Sequence, residues 1–250
     1  MTEYVPLHEL LGSDTGIFIC WPVYSAEAAD DRLRQLQMIG VESVALGGRH
    51  GVQGYRVLGK GHVGVVLRCM WRGAEAALKA RRTDADRPTM IEEAEHLSQA
   101  NKVGVGPKMF CFSKDFIVME LIEGPYFGEW VKAYEGDADV VRSVVRSILH
   151  KVRCLDKAGL DHGELSRVRR HFIVLEKGPI IIDFESASKM RRVQNLTATV
   201  QSIFLRGGFG ALANKWFPNV DADQLLNELR WYKAELSDES YLRVLDVLGL

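Results

Sequence analysis

The sequence predicts an α+β fold arranged as two lobes. Short β runs in two hairpins, with one helix between them, make up the stretch from Tyr55 to Ile122. A long amphipathic helix and further helical segments dominate the second half, and Gly124-Pro125 breaks the chain between the two patterns. Strands first and helices afterwards, with a break between them, is α+β organisation. At 250 residues, the chain has the length for one large domain or two small lobes around a cleft.

Taken in order, Gly16 to Val23 reads as a short buried strand closed by Pro22, which places Cys20 in an apolar strand. Ser25 suits the N-cap of a helix running to about Met38, with Leu33, Leu36 and Met38 as its apolar edge and Gly40 as its end. Val41 to Leu46 alternates like a strand. Val63 to Leu67 and Ala74 to Leu78 flank a Trp71-Arg72-Gly73 turn and read as a hairpin. Pro88 to Asn101 reads as a helix, with Ile91, Ala94, Leu97 and Ser98 at helical spacing. Phe110 to Phe112 and Phe116 to Ile122 form a second expected hairpin.

Asp139 to Ala158 is the clearest helix. Val141, Val144, Val145, Ile148, Val152 and Leu155 fall on one face, and Gly159 is a natural C-cap. Phe172 to Leu175 and Ile180 to Ile182 are β runs separated by Lys177-Gly178. From about Asn195 onward the pattern is helical, interrupted at Gly207-Gly208 and Pro218. The expected divisions are an α/β extension over 1–50, a β-rich N-lobe over 51–123 and a short helical C-lobe over 124–250.

Composition excludes several classes. Hydrophobic residues at 47% and charged residues at 26% are ordinary for a globular chain. A net charge of -1 gives no polyanion-binding signal, and residues 1–50 hold no basic cluster to support a nucleic-acid or ribonucleoprotein partner. Cys20, Cys69, Cys111 and Cys154 form no CxxC pair, so reduced thiols in a cytoplasmic protein are expected. No run is long enough for a membrane span, and Met1 to Glu9 lacks a basic n-region.

Three features carry chemistry. Gly59-Lys60-Gly61-His62-Val63-Gly64-Val65-Val66 fits G-x-G-x-x-G-x-V. Glycines let backbone approach phosphates and present N–H groups to their oxygens. The rival dinucleotide-binding turn needs a helix next, yet Val65 to Leu67 continues as a strand. Ala76-Ala77-Leu78-Lys79 then ends the return strand with a lysine, as in V-A-I-K, where the ammonium holds α- and β-phosphates. Glu92, Glu93 and Glu95 follow on the next helix. Glu93 is the choice to orient Lys79, because with Ala94 and Leu97 it suits a helix whose apolar side faces the sheet. Last, Asp183 directly follows three isoleucines, near Asp161-His162-Gly163-Glu164-Leu165-Ser166. A carboxylate ending a buried strand needs a partner. That partner is a metal, or else Asp183 is a helix N-cap or pairs with an arginine.

In this order the motifs resemble those of the protein kinase superfamily over roughly Leu58 to Ser188. Within it, Leu78 to Arg87, His162 to Arg167 and Ile182-Asp183-Phe184-Glu185 look like the small atypical RIO-type kinases and a related group of archaeal predicted serine/threonine kinases. The resemblance implies a bilobal kinase-like fold with ATP and Mg²⁺, or Mn²⁺, held between the lobes. It implies phosphate contacts by Gly59, Lys60, Gly61, His62, Gly64 and Lys79. Val66, Ala77, Met119, Glu120 and Ile122 would surround adenine, with Glu120 and Ile122 in the hinge. Asp183 would hold the metal and Glu164 would be the base. His162 would bond backbone near Asp183. The substrate implied is a protein or the chain itself.

Two positions depart from the pattern. Glu164 stands where kinases carry aspartate, and Arg169 stands where an asparagine ligates metal. A loop longer by two residues would put His171 in the asparagine's place. Arg167, Arg169 and Arg170 read either as solvated charge or as cations for a phosphoryl group or acidic partner. The departures leave open an ATPase switch forming an aspartyl phosphate on Asp183, a nucleotide-binding pseudokinase scaffold and, further off, a small-molecule kinase.

Overall fold

A computed structural model describes residues 3–205 and 213–250, so the Gly207-Gly208 break lies outside the described residues. The chain divides into two units. One comprises the residues up to Ser98 together with Pro107–Ile122, and the other comprises Gln99–Gly106 with Glu123–Leu250.

The first unit is built on a seven-stranded antiparallel sheet. Its chain order is β1 (Val5–Pro6), α1 (Leu7–Leu10), α2 (Asp14–Ile17), α3 (Ala26–Met38) and β2 (Val41–Ala45). A separate hairpin, β3 (His50–Val52) and β4 (Tyr55–Val57), precedes β5 (Gly59–Lys60), β6 (Gly64–Trp71) and β7 (Ala74–Arg81). Helix α4 (Ile91–Lys102), β8 (Met109–Phe112) and β9 (Phe116–Met119) follow, and the last turn of α4 passes into the second unit. The sheet order is β1-β2-β6-β7-β9-β8, with β5 also paired to β6. The β6–β7 reversal is a two-residue turn with Arg72 at φ 49° and Gly73 at φ 77°. Two positive φ values give the turn whose twist matches the flanking strands.

Gly16 to Val23 is not the strand its apolar character suggests. Ser13 Oγ accepts from Gly16 N at 3.2 Å and starts α2, and a 3₁₀ turn over Phe18–Cys20 continues it. A Cβ on Gly16 would fall 2.0 Å from Leu10 O, so the glycine lets α2 press against the end of α1. Phe18, Ile19 and Cys20 still enter the core, packed with Leu36, Leu67, Leu78 and Phe116. Burial is satisfied here by a helical turn over the sheet and not by strand pairing.

Helix α3 begins as its cap predicts, with Ser25 Oγ accepting from Ala28 N at 3.2 Å. Its buried apolar residues are Ala29 and Leu36, whereas Met38 is 84% exposed and forms no part of the apolar edge. A buried polar cluster fixes α3 to the sheet. Asp115 accepts from Arg32 at 3.0 Å, Arg81 at 2.6 Å and Gln35 at 2.8 Å, while Arg32 also donates to the carbonyl of Ile19. The Gln35 hydrogen bond together with Arg32 and Arg81 outweighs the burial cost and holds the Asp115 carboxyl below the usual carboxylate range.

The second unit contains α5 (Phe127–Ala133), α6 (Ala138–Lys157), α7 (Val168–His171), the hairpin β10 (Phe172–Leu175) and β11 (Gly178–Ile181), α8 (Asn195–Val200), α9 (Ala222–Glu235) and α10 (Asp238–Val247). Asp137 caps α6, and Val141, Val145, Ile148, Val152 and Leu155 are fully buried along its inner face. Gly159, at φ 67°, ends the helix. Among the described residues, no helix is long and apolar enough to cross a membrane.

Candidate functional site

In the first unit the sheet register gathers the predicted phosphate-binding residues. Gly59 lies opposite Val66, Val66 opposite Lys79, and Lys79 opposite Ile117, making one row across four strands. The turn over 61–64 closes through Gly61 N donating to Gly64 O at 2.8 Å, and His62 at its tip is exposed. Gly64 is needed for packing. A Cβ there would sit 2.9 Å from Lys79 Cε and 3.2 Å from Ala80 O. The stem of Lys79 therefore passes directly over the glycine.

Lys79 Nζ meets Glu93 Oε1 at 2.6 Å, and both side chains are 6% exposed. Breaking such a pair strands a buried charge, whereas apolar side chains of like volume would hold the same space. Ala77 faces Met119 across β7 and β9, and just beyond β9 Glu120 N donates to Lys108 O at 2.8 Å. Ile122, half-buried, is the last residue of this unit.

In the second unit the predicted loop is held from several sides. Asp161 pairs in backbone with Ser188, and its side chain accepts from Arg191 at 2.9 Å and from Gln194 N at 3.2 Å. His162 is fully buried; its N–H donates to Asn195 Oδ1 at 2.8 Å and its Nε2 lies 3.2 Å from Ile182 O. A carbonyl only accepts, so Nε2 is the donor in this contact. Burial first, then the neighbouring His171, pushes its pKa down to about 4. Gly163 adopts φ 88°, and a Cβ there would meet Arg191 at 2.5 Å and Ser186 O at 2.6 Å.

Glu164 Oε1 accepts from Ser186 Oγ at 2.8 Å, and Oε2 lies 3.1 Å from His171 Nε2 and 3.7 Å from Arg167. His171 is buried with its Nε2 turned to this carboxylate. Through Nε2 it partners Glu164, while its buried Nδ1 has no hydrogen-bond partner. Arg167, Arg169 and Arg170 are all exposed. Asp183 stands just after β11 at φ 70°, a left-handed conformation that few non-glycine residues adopt and that clusters at functional sites. A cavity of about 520 Å³ opens beside the loop, lined by Gly163, Ser166, Thr197, Gln201, Arg230 and Lys233.

Sequence reading missed Ser186, Arg191 and Asn195. They act through tertiary contacts, and Asn195 lies 33 residues from the His162 amide it binds. Gly163 between His162 and Glu164 was the one local hint of a constrained loop.

Among the described residues, no three His, Cys, Asp or Glu side chains gather into a self-sufficient metal site. Mg²⁺ keeps several waters and takes one or two carboxylates plus substrate phosphates. Asp183 fits as such a carboxylate. The glycine turn over the Lys79 stem fits a phosphate chain.

Together these features define a mixed α/β protein whose antiparallel sheet carries a buried lysine–glutamate pair beside a glycine turn. No family model matches the chain. Over 89 residues it is 33% identical to the uncharacterized protein MJ1211 of Methanocaldococcus jannaschii, a span covering 36% of this chain and 74% of the relative. The chain belongs to the same family as that archaeal protein.

Proposed function

We propose that this chain is an ATP- and Mg²⁺-dependent phosphotransferase, a serine/threonine protein kinase of the atypical RIO-like type with a bilobal kinase-like fold. The observation that carries the reading is the buried 2.6 Å Lys79–Glu93 pair, whose lysine stem lies over Gly64. In this reading Glu93 holds Lys79 in place, and Lys79 binds the α- and β-phosphates. Asp183 holds Mg²⁺, which neutralises charge on the phosphates when bound. Glu164 takes the proton from a substrate hydroxyl. The hydroxyl oxygen then bonds to the γ-phosphorus as the bond to ADP breaks. Neutral His162 holds the loop through Ile182 O, and His171 and Ser186 orient Glu164.

The test is labelled phosphate transfer from γ-labelled ATP in wild type and Lys79→Met. Loss of about 100-fold or more is expected, a size typical of removing one stabilising charge from a transfer site. Unchanged transfer in the variant would sink the reading.

One observation favours a second reading. Both oxygens of Glu164 already face donors, which weakens it as a base. An Asp183 carboxylate oxygen would then bond to the γ-phosphorus, ADP would leave, and water would hydrolyse the acyl phosphate. Hydroxylamine-labile label on the protein, with free phosphate accumulating, distinguishes this ATPase switch from the kinase.

A further inference from the structure

Trp21 belongs to the N-terminal segment, outside every motif, yet its ring is 5% exposed and carries two cations. Arg82 Cζ lies 4.4 Å from the ring centroid and Lys60 Nζ lies 4.9 Å from it, both within cation–π range. Lys60 is part of the glycine turn, and Arg82 directly follows β7. Arg82 grips that turn twice: its N–H donates to Val63 O at 2.7 Å and its Nη1 donates to Gly61 O at 3.2 Å. The rest of its guanidinium is held by Asp84, at 2.8 and 2.7 Å. The backbone around Trp21 is itself strapped to Thr83, the residue after Arg82. Thr83 N donates to Trp21 O at 2.9 Å, Thr83 Oγ1 donates to Cys20 O at 3.3 Å, and Val23 N donates to Thr83 Oγ1 at 2.9 Å.

We infer that Trp21 and Arg82 are positioning residues that pre-order the glycine turn for a phosphate-bearing ligand, so the N-terminal segment is a working part of the phosphate-binding element. A glycine-rich turn has high conformational freedom when unbound, and ordering it on binding costs affinity. Trp21 supplies a rigid platform fixed to the sheet, and Arg82 ties the turn's carbonyls to that platform. Asp84 sets the guanidinium plane so that Nη1 faces Gly61. The proposal rests on the nucleotide reading for its ligand but not for its geometry.

Two measurements on the full chain separate the proposal from that reading. Amide hydrogen exchange at 61–64 is followed without ligand in wild type, Trp21→Leu, Trp21→Phe and Arg82→Gln. Exchange about 10-fold faster or more in Trp21→Leu and Arg82→Gln, with Trp21→Phe nearer wild type, is expected for loss of local opening energy. Arg82 is half-buried at the surface, so its variant decides the matter even if Trp21→Leu unfolds. Binding of ATP with Mg²⁺ is then measured by calorimetry, with Kd expected to rise in the variants, and transfer kinetics are expected to show KM rising more than kcat falls. Unchanged exchange at 61–64 in folded Arg82→Gln overturns the staple. Faster exchange in the variants together with no ATP binding by wild type supports the staple and overturns the nucleotide reading.

Discussion

Lys79 and Glu93 meet on a sheet whose neighbouring positions, Leu67, Leu78 and Ile117, are buried and apolar. Glu164 sits instead in a web: Ser186 and His171 hold the carboxylate, while Asp161, His162 and Asn195 hold the loop behind it. The first arrangement uses charges where the packing does not require them. The second uses polar groups that the loop needs in order to keep its shape. Stability and chemistry are therefore separable at Lys79 when both charges of the pair are removed together, and they stay entangled at Glu164.

The largest expected effect tests that separability. Glu93→Leu alone strands the Lys79 ammonium and should cost about 3–5 kcal/mol in denaturant unfolding. Lys79→Met with Glu93→Leu should restore wild-type stability or exceed it, with phosphate transfer still absent. A double variant as unstable as Glu93→Leu would mean that the pair serves the fold.

Next in size is the pH response of the loop. His162 has its pKa lowered from its ordinary 6.5 to about 4 by burial. Between those values the unfolded chain binds a proton that the folded chain refuses. Its stabilisation is therefore complete above about pH 6.5 and is lost as pH falls towards 4. Denaturation series for wild type and His162→Asn should diverge over this window, wild type losing about 3 kcal/mol more than the variant on acidification. Parallel curves would remove His162 from the account.

The smallest effect sharpens the contrast from the other side. Gly64→Ala brings its Cβ closest to Lys79 Cε, at 2.9 Å, with Ala80 O at 3.2 Å. Phosphate transfer should fall by about 10-fold, equivalent to about 1.4 kcal/mol, with the unfolding midpoint little changed. A large drop in midpoint would show that the turn's backbone, and not the lysine, is what moves.

The same division governs what could be read from residues alone. The β6–β7 hairpin and α3 were legible because Arg72-Gly73 and Ser25 are local signals, and α6 because its valines repeat at helical spacing. Lys79 was legible because it ends an apolar strand after a glycine-rich hairpin, and Glu93 because Ala94 and Leu97 mark the apolar side of its helix. The apolar run after Gly16 misled, since periodicity cannot tell a buried strand from a buried turn, and Ser13's cap decided it. Met38 failed as a core residue: it is 84% exposed, although Leu36 in the same turn is fully buried. The contacts of His171, Ser186 and Asn195 join distant segments and leave no local trace.

The most direct test of the proposed activity is to incubate wild type, Lys79→Met and Glu164→Gln with γ-labelled ATP and Mg²⁺, following labelled protein and free phosphate together. The account predicts hydroxyl-linked label in wild type and its collapse in both variants. ATP bound without turnover in wild type, or transfer undiminished in Lys79→Met, would contradict it.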